Sequence, residues 1–115
     1  MNEAAGAASG RLARHCTVVF DGVLGPWFLP AFAAASGLDS LHYAVLTAPL
    51  DTCLERIATR RDHPFGDVGA ATHMWREFER AEIEGRHRVD ATAPAEQVAA
   101  AILAGVAAGS LRVRR

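Results

Sequence analysis

Three oxygen-bearing side chains stand where apolar runs of this sequence give way to loops. Asp21 follows Cys16–Phe20, Thr47 follows Leu41–Leu46, and Thr92 follows the short run His87–Asp90. In a parallel α/β sheet, ligands bind beyond the carboxyl ends of the strands, so these are the positions where chemistry is expected. Arg56 and Arg60 are four residues apart in a stretch of helical period and therefore share a face, with Arg61 beside them. A guanidinium is planar, permanently charged and able to bond two oxygens at once, which suits phosphate recognition. Each residue also has a plainer reading. Asp21 can bond the Gly22–Leu24 backbone as a turn aspartate, and Thr92 can cap a helix. The arginine face can be solvated, with Glu55, Arg61 and Asp62 exchanging surface ion pairs of about 0–1 kcal/mol.

Composition removes several other chemistries. All 12 basic residues are arginine, so neither a lysine point charge for a phosphate nor a Schiff-base lysine is present in these 115 residues. His63 and His73 are ten apart without a third ligand at useful spacing, which does not make a zinc site. His42 and His87 read as structural, and His15 beside Cys16 has no orienting partner. Gly-x-Ser-x-Gly, the serine-hydrolase elbow, is missing. Cys16 and Cys53 lie in apolar stretches and read as buried free thiols. The formal net charge of −1 argues against general attraction to nucleic acid or an anionic membrane. No apolar run approaches the roughly 18 residues of a membrane span, and the N-terminus lacks the layout of a signal peptide. A cytoplasmic protein is the expectation.

The elements that must position these residues alternate. Residues 3–14 read as an alanine-rich helix or frayed lead-in. Cys16-Thr17-Val18-Val19-Phe20 is β-rich and continuous, the pattern of a buried parallel strand. Trp27–Ser36 reads as a helix with Pro30 in its first turn and Gly37 as its C-cap. Leu41–Leu46 is a second strand. Pro49 opens a helix whose Leu50, Cys53, Leu54, Ile57 and Ala58 keep the helical period, and Arg60–Gly66 breaks it as a polar loop. Val68, Ala71, Trp75, Phe78 and Ile83 mark another helix ending at Gly85, with Trp75 and Phe78 in the core. His87–Asp90 is a short third strand, and Pro94 opens a final helix burying Val98, Ile102, Leu103 and Val106. The predicted core runs from about residue 12 to residue 106, with 107–115 a loose basic tail. The whole is one α/β domain with a parallel sheet. Thr47-Ala48-Pro49 and Thr92-Ala93-Pro94 are two similar strand-to-helix junctions rather than a repeat.

Three segments carry a resemblance. Val18-Val19-Phe20-Asp21-Gly22-Val23-Leu24-Gly25-Pro26-Trp27-Phe28-Leu29 resembles a strand and loop of small bacterial P-loop kinases, the group near shikimate and gluconate kinases and the chloramphenicol-phosphotransferase-like proteins, often described as AAA-family or ATP-binding. The strand at 41–46 leading into Leu54-Glu55-Arg56-Ile57-Ala58-Thr59-Arg60-Arg61 resembles their helix and lid entry. Gly85-Arg86-His87-Arg88-Val89-Asp90-Ala91-Thr92 resembles their last strand and base-side loop.

The resemblance implies a three-layer parallel sheet of the P-loop NTPase type, incomplete here. The family's first strand, its Gly-x-x-x-x-Gly-Lys-Ser/Thr loop and its second strand have no counterpart in these residues, and Gly6–Gly10 is no substitute. It implies ATP and Mg²⁺ as cofactors and transfer of the γ-phosphoryl group to a small hydroxylated acceptor. Asp21 would hold Mg²⁺ through water. Arg60 and Arg61 would neutralise the transferring group, and Arg56 would pack on the base. Thr92, Ala93 and Pro94 would form the adenine-side loop, and Trp27 and Phe28 would face the acceptor. Without the phosphate cradle, little or no kinase activity is expected. The alternative is a non-catalytic α/β fragment or partner-binding module. Because the family's first strand lies between those matching 16–21 and 41–46, its absence predicts direct pairing, a gap, or a strand from another chain or a second copy.

Overall fold

The computed structural model describes residues 2–60 and 67–114. Five helices and two small sheets are present among them. Helix α1 spans Asn2–Leu12 and α2 Leu29–Ser36; strands β1 (Ser40–His42) and β2 (Val45–Thr47) follow, then α3 (Leu50–Thr59) and α4 (Val68–Arg80). A 3-10 turn at Gly85–His87 leads into β3 (Arg88–Asp90), α5 (Ala95–Ala108) and β4 (Arg112–Arg114). β2 and β3 are parallel, with Val45 opposite Arg88, Leu46 opposite Val89 and Thr47 opposite Asp90. β1 and β4 are antiparallel, with Leu41 opposite Val113. The α/β class and the helices opened by proline agree with the sequence. Pro30 lies in the first turn of α2, and Gly37 ends it at φ 70°, a conformation glycine takes without a Cβ penalty.

Several expectations are corrected. Cys16–Phe20 forms no strand. From Thr17 to Val23 no residue makes a backbone hydrogen bond among the described residues, and Val19 is 88% exposed. A β-rich run becomes a strand only beside a partner edge, and none pairs with it among the described residues. Cys16 is accordingly exposed, and Cys53 is half-buried. The single strand expected at 41–46 divides at Tyr43. Its N–H donates to Leu111 O at 2.9 Å, and its carbonyl meets His87 Nδ1 at 2.8 Å. Its hydroxyl donates to Leu24 O at 2.6 Å. Tyr43 is therefore where the chain leaves β4 and joins β3. The tail is not loose through Arg114: β4 pairs with β1, and Leu111 is 3% exposed, packed against Gly105, where an added Cβ would stand 2.8 Å from its Cγ. The fourth helix stops at Arg80, short of Ile83 and Gly85. The expected polar loop 60–66 lies, after Arg60, outside the described residues.

Helices α1 and α2 run parallel in close contact. An added Cβ would come within 2.4 Å of Phe32 O at Gly6 and 1.9 Å of Ser36 O at Gly10. Two glycines four apart on one face let the backbones approach where any side chain would hold them away. The core is small: the buried apolar residues are Phe32, Ala33, Tyr43, Val45 and Leu111. The chain exposes 8088 Å², against about 6,100 Å² for a folded monomer of this mass. Among the described residues eleven large apolar side chains stay exposed, Val19, Leu46 and Leu103 among them. α5 shows the same imbalance. Apart from Glu96 and Gln97 it is apolar or glycine all round, yet none of its residues is fully buried. An all-apolar helix is normally covered on every side.

Candidate functional site

The carboxyl ends of β2 and β3 meet at the register pair Thr47–Asp90. Beyond them opens a cleft of ≈ 420 Å³ lined by Thr47, Ala48, Pro49, Trp75, Glu79, Arg88 and Asp90. The recess is shallow and largely open to solvent. One wall is the Thr47–Pro49 junction, where the chain turns from β2 into α3. The facing wall is α4, whose Trp75 indole N–H donates to Ala48 O at 2.8 Å. That bond ties α4 to the strand end and holds the indole at the rim.

The charges of the lining are not equally available. The Arg88 guanidinium is directed at the end of α4, within 3.5 Å of Phe78 O and 3.4 Å of Ala81 O. Asp90 Oδ1 accepts from the Thr92 hydroxyl at 2.6 Å and from the Thr92 N–H at 2.9 Å. These bonds, with a smaller contribution from the nearby Arg56 charge, hold the Asp90 carboxyl below its ordinary value. Its second oxygen makes no protein hydrogen bond among the described residues. Glu79 is an exposed carboxylate at the same rim. The cleft therefore offers carboxylate acceptors and an aromatic ring, while its one cation is turned toward helix carbonyls.

The structure brings some of the sequence-predicted residues together. Arg56 Nη2 donates to Ala91 O at 2.7 Å, so the arginine of α3 reaches the loop containing Thr92, Ala93 and Pro94, next to Asp90. Thr92 does not cap α5. Its hydroxyl goes back to Asp90, and the cap position is Pro94, with no side-chain bond. Arg60 is exposed at the end of α3, with its N–H on Arg56 O and Ile57 O. Arg61 lies outside the described residues. Asp21 is exposed and does not line the cleft. Trp27 and Phe28 are each 47% exposed; the Trp27 ring meets Phe78 of α4 at 5.2 Å between centroids.

Trp75, Glu79 and Asp90 were not singled out as site residues by the sequence. Trp75 sits at helical spacing from Phe78, which reads as core, and Glu79 reads as a solvated helix position. Asp90 carried the clearest signal, an acidic residue closing a parallel strand two positions before a threonine. Comparison with models of protein families, with curated proteins and with solved structures finds no match to this chain.

Among the described residues no group of three or more His, Cys, Asp or Glu side chains is arranged to hold a metal ion. Asp21 stands away from the cleft, and no lysine is present. Backbone N–H groups in a glycine-rich loop, which cradle phosphates elsewhere, have no counterpart among the described residues that line the cleft. No helix among the described residues is long and apolar enough to cross a membrane.

Proposed function

We propose that this chain is a nucleotide-binding module of the small-molecule-kinase type that holds the nucleoside end of its ligand and does not by itself transfer a phosphoryl group. The observation carrying this reading is the junction of Arg56 with the loop after β3, beside the cleft at the carboxyl ends of a parallel strand pair. In this reading Trp75 stacks on the base. Asp90, kept ionised by Thr92, and Glu79 accept from ribose hydroxyls or the exocyclic amine. Arg56 fixes the 91–94 loop against α3, and the backbone of Thr92, Ala93 and Pro94 borders the base. Asp21, Arg60 and Arg61 belong to the phosphate side, and that side needs a cradle these residues do not contain. The three-layer P-loop architecture is part of the same proposal.

The test is a calorimetric titration of the folded chain with adenosine. Wild type should bind, and Glu79→Gln and Asp90→Asn should each weaken binding several-fold without changing the circular dichroism spectrum. Binding unaffected by both variants would place the ligand elsewhere. Phosphoryl transfer by the pure chain, abolished by Asp21→Ala, would overturn the non-catalytic part.

A second reading is favoured by a separate observation. The exposed area exceeds that of a folded monomer of this mass by about 2,000 Å², and the backbone of Thr17–Val23 makes no hydrogen bond among the described residues. A module completed by another chain has both properties.

A further inference from the structure

We propose that the exposed face of the β1–β4 ribbon is an anion site for a phosphate monoester, held between the Arg112 and Arg114 guanidiniums with His42 and Ser40 beside them. It shares no residue with the cleft beyond β2 and β3, so it stands apart from the nucleoside reading.

The register puts these four side chains together. Ser40 lies opposite Arg114 and His42 opposite Arg112. Residues directly opposite share a face, as do alternate residues along one strand. Exposure agrees: Ser40, His42, Arg112 and Arg114 are exposed, while Leu41 and Val113 between them are half-buried. The hydrogen bonds fix how close the pairs come. Tyr43 N–H donates to Leu111 O across the ribbon. Arg112 instead turns its own N–H to Gly109 O and its carbonyl to Arg86 Nη1, away from β1. His42–Arg112 is therefore a non-hydrogen-bonded pair, and by alternation so is Ser40–Arg114. In such pairs the Cα atoms are about 4.5 Å apart and the side chains stand closest. Arg112 and Arg114 are about 6.8 Å apart along β4.

Charge gives the ligand. Among the described residues the side chains of His42, Arg112 and Arg114 make no hydrogen bond or ion pair, and Asp39, just before β1, pairs with neither arginine. Arg86, the third guanidinium at this edge, is engaged: it donates to Glu84 and to the Ser110 and Arg112 carbonyls at 2.8 Å each. Those bonds anchor β4 and leave its own two arginines facing outward. Two like charges at this spacing repel each other, and an anion between them turns that repulsion into attraction. Each guanidinium fork can bond two oxygens at once, so two forks, an imidazole and a hydroxyl match the oxygens of one phosphate group. A monoester carries about −1.5 to −2 charges at pH 7, the complement of two arginines. A polynucleotide would need a longer row of cations, and the chain's net charge of −1 supplies no wider field to hold one.

The test is an NMR titration of the full chain in phosphate-free buffer, following the His42 ring and the amides of residues 40–42 and 112–114. The probes are inorganic phosphate, glycerol phosphate and dimethyl phosphate, at ionic strength matched with sodium chloride. Inorganic phosphate and glycerol phosphate should shift these signals saturably in the millimolar range, and dimethyl phosphate, with a single charge, should bind several-fold more weakly. Arg112→Ser and Arg114→Ser should each weaken glycerol phosphate binding several-fold, with unchanged circular dichroism because neither side chain has a bond to lose. Arg112→Lys, which keeps the charge and loses the fork, should weaken it as well. Adenosine should bind the Arg112→Ser/Arg114→Ser double variant as it binds wild type, and nucleotide titrations of that variant report on the cleft alone. Vesicles of phosphatidylcholine with and without phosphatidate identify the carrier of the monoester. Sedimentation with phosphatidate vesicles, lost in the double variant, assigns a lipid headgroup; glycerol phosphate shifts without sedimentation assign a soluble molecule. Shifts that do not saturate, that sodium chloride or dimethyl phosphate reproduces equally, or that survive in the double variant overturn the proposal.

Discussion

Replacing Gly10 by alanine tests the tightest packing in the fold. The new Cβ would stand 1.9 Å from Ser36 O, 2.6 Å from its carbonyl carbon and 2.8 Å from its Cα. All three atoms are backbone, so no rotamer change relieves the contact. Bringing the oxygen to an ordinary contact of at least 3.4 Å moves α1 and α2 apart by about 1.5 Å. Overpacking of this kind costs about 1–3 kcal/mol. Against it stands the gain of about 0.8–1.0 kcal/mol for alanine over glycine within a helix. The net expectation is a loss of about 0–2 kcal/mol, which at its upper end is a large fraction of a small domain's stability. Urea unfolding followed by circular dichroism at 222 nm is the assay, read as a lower midpoint at unchanged slope. Gly85→Ala is the control, since nothing lies within 4 Å of its added Cβ; it should shift stability by no more than about 0.5 kcal/mol. A Gly10→Ala chain more stable than the wild type would refute the close parallel crossing of α1 and α2.

Other expectations follow from single contacts. Arg86 donates to Ser110 O and Arg112 O at 2.8 Å each and to Glu84 at 2.8 Å; Arg86→Met should cost about 1–3 kcal/mol and raise amide exchange in β4 before α3 or α4. Tyr43→Phe removes the donor to Leu24 O and should cost about 0.5–1.5 kcal/mol in the same unfolding assay. Asp90 titrates below its ordinary 3.8 because the Thr92 hydroxyl and N–H bond to it. Its contribution to stability is therefore full above the unfolded value and is lost as pH falls through the lower, folded one. In Thr92→Val, NMR titration should find the Asp90 midpoint raised toward 3.8, and less stability should be lost on acidification.

The helices were legible because their signals are local. Pro30, Pro49 and Pro94 fix φ at or beside the helix starts, Gly37 takes the left-handed cap, and Leu50, Cys53, Leu54 and Ile57 repeat at helical spacing whatever lies around them. The strands were not, because a strand is a relation between two segments. Cys16–Phe20 has a strand's composition and no neighbour. Arg112–Arg114 has a tail's composition and is a strand, because Tyr43 and Leu111 bring it beside Leu41. Tyr43 is the residue at which one apolar run serves two sheets, and nothing in Leu41–Leu46 marks that division.

The candidate site divides along the same line. Thr47 and Thr92 were found from strand ends, and Arg56 bonds Ala91 O, a contact that neither the spacing nor the resemblance pointed to. Trp75 and Glu79 were not found, because only the bond from Trp75 to Ala48 turns that face of α4 toward the strand ends. Asp21, the residue on which the resemblance placed the metal, lies outside the cleft because the strand that was to carry it has no partner.

The most direct measurement of the central claim is a side-by-side calorimetric titration of the folded chain with adenosine and with Mg²⁺–ATP at two salt concentrations. The account predicts that adenosine binds at least as tightly as ATP, because the cleft holds the nucleoside and its carboxylates repel the phosphates, and that added salt strengthens ATP relative to adenosine. ATP binding much tighter than adenosine, and weakened by salt, would mean that the arginines form a phosphate site and would contradict it.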